Sequence, residues 1–390
     1  MRSAAAISEH LDTRTAAIEV AGLLESAMDG PTDLVFVFAS FHHREALGEA
    51  VSDIRKTLAP KTIIGLTTES VVGCDLELEG VAGLSAIAMH LPGVTITPWT
   101  TSPKRPLPIS KPEKIPGWIS LQEDTQVVLF FADPFSTPIT RLLPALVDCR
   151  GDESPLPVIG GMASGASAAT YNRLILDDQG MRSGGIGLTI SGPLDFDCIV
   201  SQGCRPIGNP MRVTKVEGNV VLELGGRPAV EVIQDLARSV DPHEGNLLGG
   251  GLLLGSVINE NRDHFGRGDF LVRSILGIDR KRNGIAAGEF YRLGKTVQFH
   301  VRDAQTAVED LQLLLDAQQL ATQPFAGLLV TCNGRGRNLF HVEDHDLTII
   351  RDRLGKVPIA GFFAAGEIGP IGGRSFLHGH TACLTLFRSK

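Results

Sequence analysis

Leu34-Val35-Phe36-Val37-Phe38-Ala39-Ser40 is a continuous apolar run of strand length. Leu47, Val51, Ile54 and Leu58 follow it at the spacing of one helix face, Pro60 stops that helix, and Thr62-Ile63-Ile64-Gly65 opens a second strand. Gly83-Leu84-Ser85-Ala86-Ile87-Ala88-Met89 then reads as a third strand. The same order returns twice. Val127-Val128-Leu129-Phe130-Phe131-Ala132-Asp133 is a strand, Ile139, Leu142, Leu143, Leu146 and Val147 make a helical face, and Pro157-Val158-Ile159-Gly160 and 184–190 are strands. In the last copy, 327–387, the strand Gly327-Leu328-Leu329-Val330-Thr331 leads to a helix marked by Leu347, Ile350 and Leu354, and Pro358-Ile359-Ala360-Gly361 opens its second strand. Ahead of the first copy, Ala17, Val20, Leu23, Leu24 and Ala27 predict a helix that opens the fold.

A strand-helix-strand-strand unit of roughly sixty residues, repeated with long unlike insertions, indicates duplication inside an α/β architecture rather than a solenoid. A right-handed crossover makes the first two strands parallel and adds the third antiparallel or at the edge. The predicted fold class is therefore α/β (α+β), with mixed sheets covered by helices. Prolines 103, 106, 108 and 112 make 98–116 an extended linker. Before the last copy lie short strands at 197–200 and 211–215, a helix at 229–238, and Gly249-Gly250-Gly251, which reads as tight strand packing. Strands at 270–278, 288–291 and 296–301 follow, and Asp303 caps a helix carrying Ala307, Leu311, Leu314 and Leu315. The composition changes near 204–210, which places two domains at 30–205 and 206–390.

Composition narrows the class. With 390 residues, 43% hydrophobic and 21% charged, the chain reads as an ordinary soluble protein. A formal net charge of -8 argues against a phosphate-neutralising surface, so no nucleic acid partner is expected. No apolar run approaches the ~20 residues of a membrane span, and 1–19 carries Glu9 and Asp12 without an apolar signal core. The six cysteines are scattered with no C-x-x-C pair. That usage fits a reducing compartment, and the expected location is cytoplasmic.

The candidate chemistry lies in the last copy. Aligned from the first glycine, the second strands read Gly65-Leu-Thr-Thr-Glu-Ser70-Val71, Gly160-Gly-Met-Ala-Ser-Gly165-Ala166 and Gly361-Phe-Phe-Ala-Ala-Gly366-Glu367. Glycine there permits positive φ or close approach of a backbone, to a strand or to a ligand. Only the last copy follows it with an acid, Glu367. Asn333, Arg335, Gly336, Gly366, Arg374, His378 and His380 surround it in sequence. A guanidinium grips a carboxylate and a carboxylate takes an ammonium, so this set suits a zwitterion such as an amino acid; the bland alternative is Arg pairing with Glu. His378 and His380 fall on one side of a strand and with Glu367 have the make-up of a two-histidine, one-carboxylate site, but core histidines are commoner and neither metal nor cofactor is assigned. Cys332, beside a basic loop, is a nucleophile candidate, and an enzyme using Glu367, His378 or Cys332 is the alternative to a binding protein; an interaction scaffold is a further one.

The segment Phe362-Phe363-Ala364-Ala365-Gly366-Glu367-Ile368-Gly369-Pro370-Ile371-Gly372-Gly373, with Phe376-Leu377-His378-Gly379-His380-Thr381, resembles the end of a FIST C domain. Ser201-Gln202-Gly203-Cys204-Arg205-Pro206-Ile207-Gly208, Arg273-Ser274-Ile275-Leu276-Gly277-Ile278-Asp279 and Phe299-His300-Val301-Arg302-Asp303-Ala304 agree, and 34–190 resembles a FIST N domain. The resemblance implies a sensory module of signal transduction that binds small ligands, amino acids being the suggested class; the expected role is to pass the bound state to a signalling protein partner. It carries no catalytic residues. At Glu69-Ser70-Val71 the chain departs from the family's Gly-Glu pair, so the resemblance carries no site into the first copy.

Overall fold

The computed structural model of the chain describes residues 1–151, 155–262 and 264–390. The first copy comprises β1 (Arg2–Ser8), α1 (Thr13–Ala27), β2 (Leu34–Ser40), α2 (Leu47–Leu58), β3 (Thr62–Thr68), the hairpin β4 (Val71–Gly73) and β5 (Leu76–Leu78), and β6 (Leu84–His90). The second comprises β7 (Thr95–Thr101), α3 (Ile115–Trp118), β8 (Thr125–Ala132), α4 (Ile139–Val147), β9 (Val158–Met162), the hairpin β10 (Leu174–Leu176) and β11 (Gln179–Met181), and β12 (Gly185–Ser191). After β13 (Leu194–Gln202) come β14 (Cys204–Glu217), β15 (Val220–Leu224), β16 (Arg227–Pro228), α5 (Ala229–Ser239), α6 (Pro242–Leu248), β17 (Leu252–Val257), β18 (Phe270–Asp279), β19 (Gly284–Ala287), β20 (Thr296–Arg302) and α7 (Ala304–Gln318). The third copy comprises β21 (Ala326–Cys332), α8 (Arg337–Phe340), α9 (His345–Leu354), β22 (Ile359–Ala364), the hairpin β23 (Glu367–Ile371) and β24 (Arg374–His378), and β25 (Thr381–Ser389). The chain divides into a first unit, residues 1–200, 312–377 and 381–390, and a second, residues 201–311 and 378–380.

Three six-stranded sheets build the first unit, ordered β1-β6-β2-β3-β10-β11, β24-β23-β9-β8-β12-β7 and β13-β25-β21-β22-β4-β5. Within each copy the first two strands are parallel and the third runs antiparallel on the other side of the first, as the crossover argument predicts. The hairpin after each second strand leaves its own sheet. β4 pairs with β22, β10 with β3, and β23 with β9, so the first copy completes the third sheet, the third completes the second, and the second completes the first.

This exchange explains the strand sequences. Phe36 and Phe38, Leu129 and Phe131, Leu328 and Val330, and Phe362 turn into one core shared by all three sheets. Phe38 and Phe362 stack at 5.1 Å, and Phe36 meets Phe131 edge-on at 5.7 Å. Alternate residues such as Val35, Val37 and Ile63 pack beneath α1 and α2, while Val128, Phe130 and Val158 pack beneath α3 and α4. Burial on both faces is why these strands read as unbroken apolar runs.

Four sequence expectations are corrected. A strand, β1, precedes the opening helix. The stretch 98–116 is not simply a linker: Pro98 lies inside edge strand β7, opposite Leu188, where a missing N–H is tolerated. The run Gly249-Gly250-Gly251 closes α6, with Gly249 N–H on the Asn246 carbonyl at 3.2 Å, rather than packing strands together. The strand expected at 288–291 is β19, Gly284–Ala287. Asp303 does cap its helix, accepting from Gln305 N–H at 3.1 Å and the Thr306 hydroxyl at 2.8 Å. The second unit is antiparallel, ordered β14-β20-β17-β18-β19-β15-β16, and closes on itself because β14 also pairs with β15. Its core gathers Ile207, Val213, Leu254, Phe299 and Tyr291.

The first glycine of each second strand serves neighbouring protein, not a ligand. A Cβ on Gly361 would sit 1.8 Å from the Leu329 carbonyl oxygen of the parallel neighbour, and one on Gly160, at φ +134, 2.2 Å from that of Phe130. On Gly65 it would meet side chains alone, Val51 at 2.7 Å and Ile175 and Leu47 at ordinary contact distance. Gly361→Ala is therefore expected to cost about 3 kcal/mol by urea unfolding, and Gly65→Ala clearly less, because a side chain yields where a backbone carbonyl cannot. Equal losses would contradict this account.

Candidate functional site

Each second strand must leave its sheet to reach another, so the three strand ends cross. Ser164 Oγ accepts from Glu69 N–H at 2.9 Å and donates to the Phe363 carbonyl, joining all three copies through one hydroxyl. Phe363 N–H donates to Ser70 O at 3.0 Å, Ala365 N–H to Met162 O at 3.1 Å, Met162 N–H to Gly366 O at 2.8 Å, and Gly165 N–H to Thr67 O at 3.3 Å. Beside this crossing opens a cavity of about 230 Å³, lined by Glu69, Ser70, Glu79, Gly80, Asn333, Arg337, Asn338 and Phe363. It joins the end of β3 and the turn after β5 to the loop after β21.

The lining is largely polar and held in place. Asn333 N–H donates to the Ala364 carbonyl at 3.1 Å, and its Nδ2 donates to Glu69 Oε2 at 2.5 Å. Its Oδ1 is buried and has no partner among the described residues. Partial burial raises the Glu69 carboxyl above its ordinary range against the Asn333 hydrogen bond, although the residue as a whole stays accessible at the rim. Glu79 accepts the Arg337 N–H at 2.9 and 3.0 Å, and Arg337 Nη2 returns a bond to the Glu79 carbonyl at 2.6 Å. Gly336, at φ +56, makes that contact possible, since a Cβ would fall 2.5 Å from the Glu79 carboxylate.

Of the residues singled out in the sequence, Asn333 lines the cavity and Gly336 shapes its wall. Arg335 points the other way: it is fully buried, gripping Asp346 with Nε–Oδ2 of 2.9 Å and Nη2–Oδ1 of 2.8 Å, with Phe340 5.1 Å away across its ring. Glu367 is also fully buried, accepting the Thr381 hydroxyl at 2.8 Å. Gly366, at φ +144, belongs to the strand crossing. Arg374 pairs with Asp148, away from the cavity lining. Cys332, half-buried, takes the Gly334 N–H at 3.4 Å. His378 and His380 belong to the second unit, where His380 Nε2 lies 3.2 Å from Ser274 Oγ and burial, with Arg302 and Arg273, lowers its ring to about 4. No group of three His, Cys, Asp or Glu among the described residues is placed to hold a metal.

Glu69, Glu79, Asn338 and Ser164 escaped the sequence reading. Glu69 carries a signal: it stands at the end of a second strand, four residues after its first glycine, as Glu367 stands six after its own. Glu79 shares the alternation Leu76-Glu77-Leu78-Glu79, in which two acids on an apolar hairpin mark a site facing protein.

Beneath the cavity loop lies a cluster with more acid than base. Burial pushes the Asp346 carboxyl up, but the Arg335 charge and the His345 hydrogen bond together bring it well below its ordinary value. Glu77, which accepts Leu347 N–H at 2.8 Å, is raised to about 8 by burial and the nearby Asp346 charge. Burial raises Glu367 to about 8, against hydrogen bonds from Thr381 and Cys332. Below about 4.5 both carboxyls are protonated folded or unfolded; between about 4.5 and about 8 the folded chain holds protons the unfolded chain releases. Stability is therefore full below the unfolded value and falls as pH rises through the folded one. Glu367→Gln, an isostere of the protonated acid, is expected to flatten this fall and to be more stable than the parent at pH 8, as urea unfolding across the same pH range would show. An unchanged slope would contradict the assignment.

Comparison with known proteins bears on the whole chain. The FIST N domain matches residues 33–227 and the FIST C domain residues 229–370. The uncharacterized protein Rv0628c of Mycobacterium tuberculosis is 36% identical over 398 residues, covering 99% of this chain and 100% of that protein. The uncharacterized protein Mb0898c of Mycobacterium bovis is 34% identical over 401 residues, covering 99% of each. Among solved structures, a cyanuric acid hydrolase from A. caulinodans aligns over 100% of this chain and 99% of its own at 8% identity and a TM-score of 0.34, too slight a likeness to carry an argument.

Proposed function

The chain belongs to the FIST family, whose domains are sensory modules of signal transduction that bind small ligands, and from that premise we propose that it is a cytoplasmic sensor for a zwitterion of amino-acid type. The ligand sits in the cavity between Glu69 and Arg337, and a signalling protein reads the bound state. One observation carries the reading: the buried, unpartnered Oδ1 of Asn333 beside the partly desolvated Glu69 carboxylate. An acceptor in that position needs a donor, and an ammonium group supplies donors and charge together. The Arg337 guanidinium, on the same lining and paired with the exposed Glu343 at 3.3 Å, is the cation offered to the ligand's carboxylate. At about 230 Å³ the cavity suits a small metabolite and excludes a polymer. No helix among the described residues is long and apolar enough to cross a membrane.

This reading relocates the zwitterion from Arg335 and Glu367, which are committed to buried partners, to Arg337 and Glu69 on either side of Asn333. A thermal-shift screen of amino acids and their decarboxylated and deaminated analogues tests it, because a ligand that binds the folded chain raises its melting temperature. An amino acid is expected to stabilise where both analogues do so weakly, and Glu69→Gln is expected to weaken its binding by roughly 10- to 100-fold, the loss of one hydrogen bond to a charged group. Affinity should also fall as pH drops and Glu69 takes up a proton. No shift from any amino acid, or a hit that Glu69→Gln and Asn333→Ala leave unchanged, would sink the proposal.

A further inference from the structure

A second cavity of the first unit, about 380 Å³, opens between β1, the Cys74-Asp75 turn of the β4–β5 hairpin, the end of α9 and the start of β22. Its walls are small and apolar, with Ala5, Ala27 and Ile359 among them. Arg351 and Lys356 stand on its lining. Arg351 lies 3.6 Å from Asp75, whereas Lys356 has no acidic partner among the described residues, which leaves the lining with one cation in excess.

The repeat places a cavity of about 440 Å³ at the equivalent position of the second copy, so the space itself belongs to the architecture and the difference lies in its lining. Arg55 and Arg351 stand ten residues before the strand glycines Gly65 and Gly361, and Arg55 likewise reaches a hairpin turn, at Asp177, at 3.0 Å. The position of Lys356 is taken by Pro60 in the first copy and Pro155 in the second. Where β1 carries alanines, the corresponding stretch of β7 faces a cavity furnished with Trp99 and Trp118. This cavity thus combines small apolar walls with a lysine that the other two copies lack at the equivalent position.

We propose that this cavity binds a small monocarboxylate with a hydrocarbon body, its carboxylate held by Lys356 and Arg351 and its chain packed on Ala5, Ala27 and Ile359. Charge selects the head group and burial of apolar surface supplies the affinity. The site is separate from the cavity at Glu69 and does not depend on the amino-acid reading.

Isothermal titration of the full chain with hexanoate, hexanol and hexylammonium is the test. Hexanoate is expected to bind one per chain, with hexanol and hexylammonium weaker by about tenfold or more, the worth of a charged contact. Lys356→Glu, an exposed change that leaves the core untouched, should weaken hexanoate by a similar factor, and Ala5→Leu should abolish binding by filling the pocket while the circular dichroism spectrum is unchanged. Glu69→Gln should leave hexanoate binding intact. The proposal fails if hexanoate does not bind, if hexanol binds as tightly, if Lys356→Glu has no effect, or if Glu69→Gln removes the binding.

Discussion

A sheet edge exposes unpaired N–H and C=O groups, and a second strand standing at the edge of its own copy would leave them open. Here every such edge is closed by a hairpin from another copy: β4–β5 on β22, β10–β11 on β3, β23–β24 on β9. Because the donations run in a cycle, no copy can complete its own sheet. The shared core of Phe36, Phe131 and Phe362 then becomes a common face rather than three separate ones. The glycines at Gly160 and Gly361 follow from the same constraint, since the parallel neighbour's carbonyls approach too closely for any side chain.

The crossing of strand ends that this cycle requires also borders the polar cavity. Backbone groups at Glu69, Ser70, Met162, Phe363 and Gly366 find partners across copies instead of along a ladder, with Ser164 as the joint. The loop after β21 is then pinned from two directions. Asn333 holds it to Ala364 and Glu69, while Arg335 roots it in the buried acids below. A buried Arg–Asp pair is weak evidence of stability, since desolvation offsets much of its attraction. It does fix geometry, and here it directs Asn333 and Arg337 to the cavity by turning the residue between them inward.

How much of this the sequence disclosed follows from what each signal reports. Strands buried on both faces and helices with one apolar face have strong periodicities, so the three copies and their internal pairing were legible. The exchange was not. Hairpins with strands of three residues, such as Val71–Gly73 and Leu174–Leu176, are too short for a pattern, and hydrophobicity cannot say which sheet a strand joins. Arg335 and Glu367 are charged residues beside glycines, a description that fits a buried ion pair as well as a binding group. Glu69 and Glu79 join Asn333 only through the cross-copy pairing.

Why one crossing carries the polar cavity can be argued from the positions the repeat makes equivalent. Ser40 and Cys332 close their first strands and Asp133 follows directly on β8, so a side chain able to hydrogen-bond at this position belongs to the architecture. Asp133 is spent on Asn172 and Ser136, at 2.8 and 2.5 Å, and Ser40 Oγ on Gly83 N–H at 3.0 Å. One residue further, Asn333 corresponds to Phe41 and Pro134, neither of which offers a side-chain hydrogen bond, and Glu69 corresponds to Ser164 and Ala365. A carboxylate and an amide therefore meet only where the first copy's strand end faces the third copy's loop. The fold supplies three crossings, and divergence at these two positions gives one of them a cavity lined by a carboxylate and an amide.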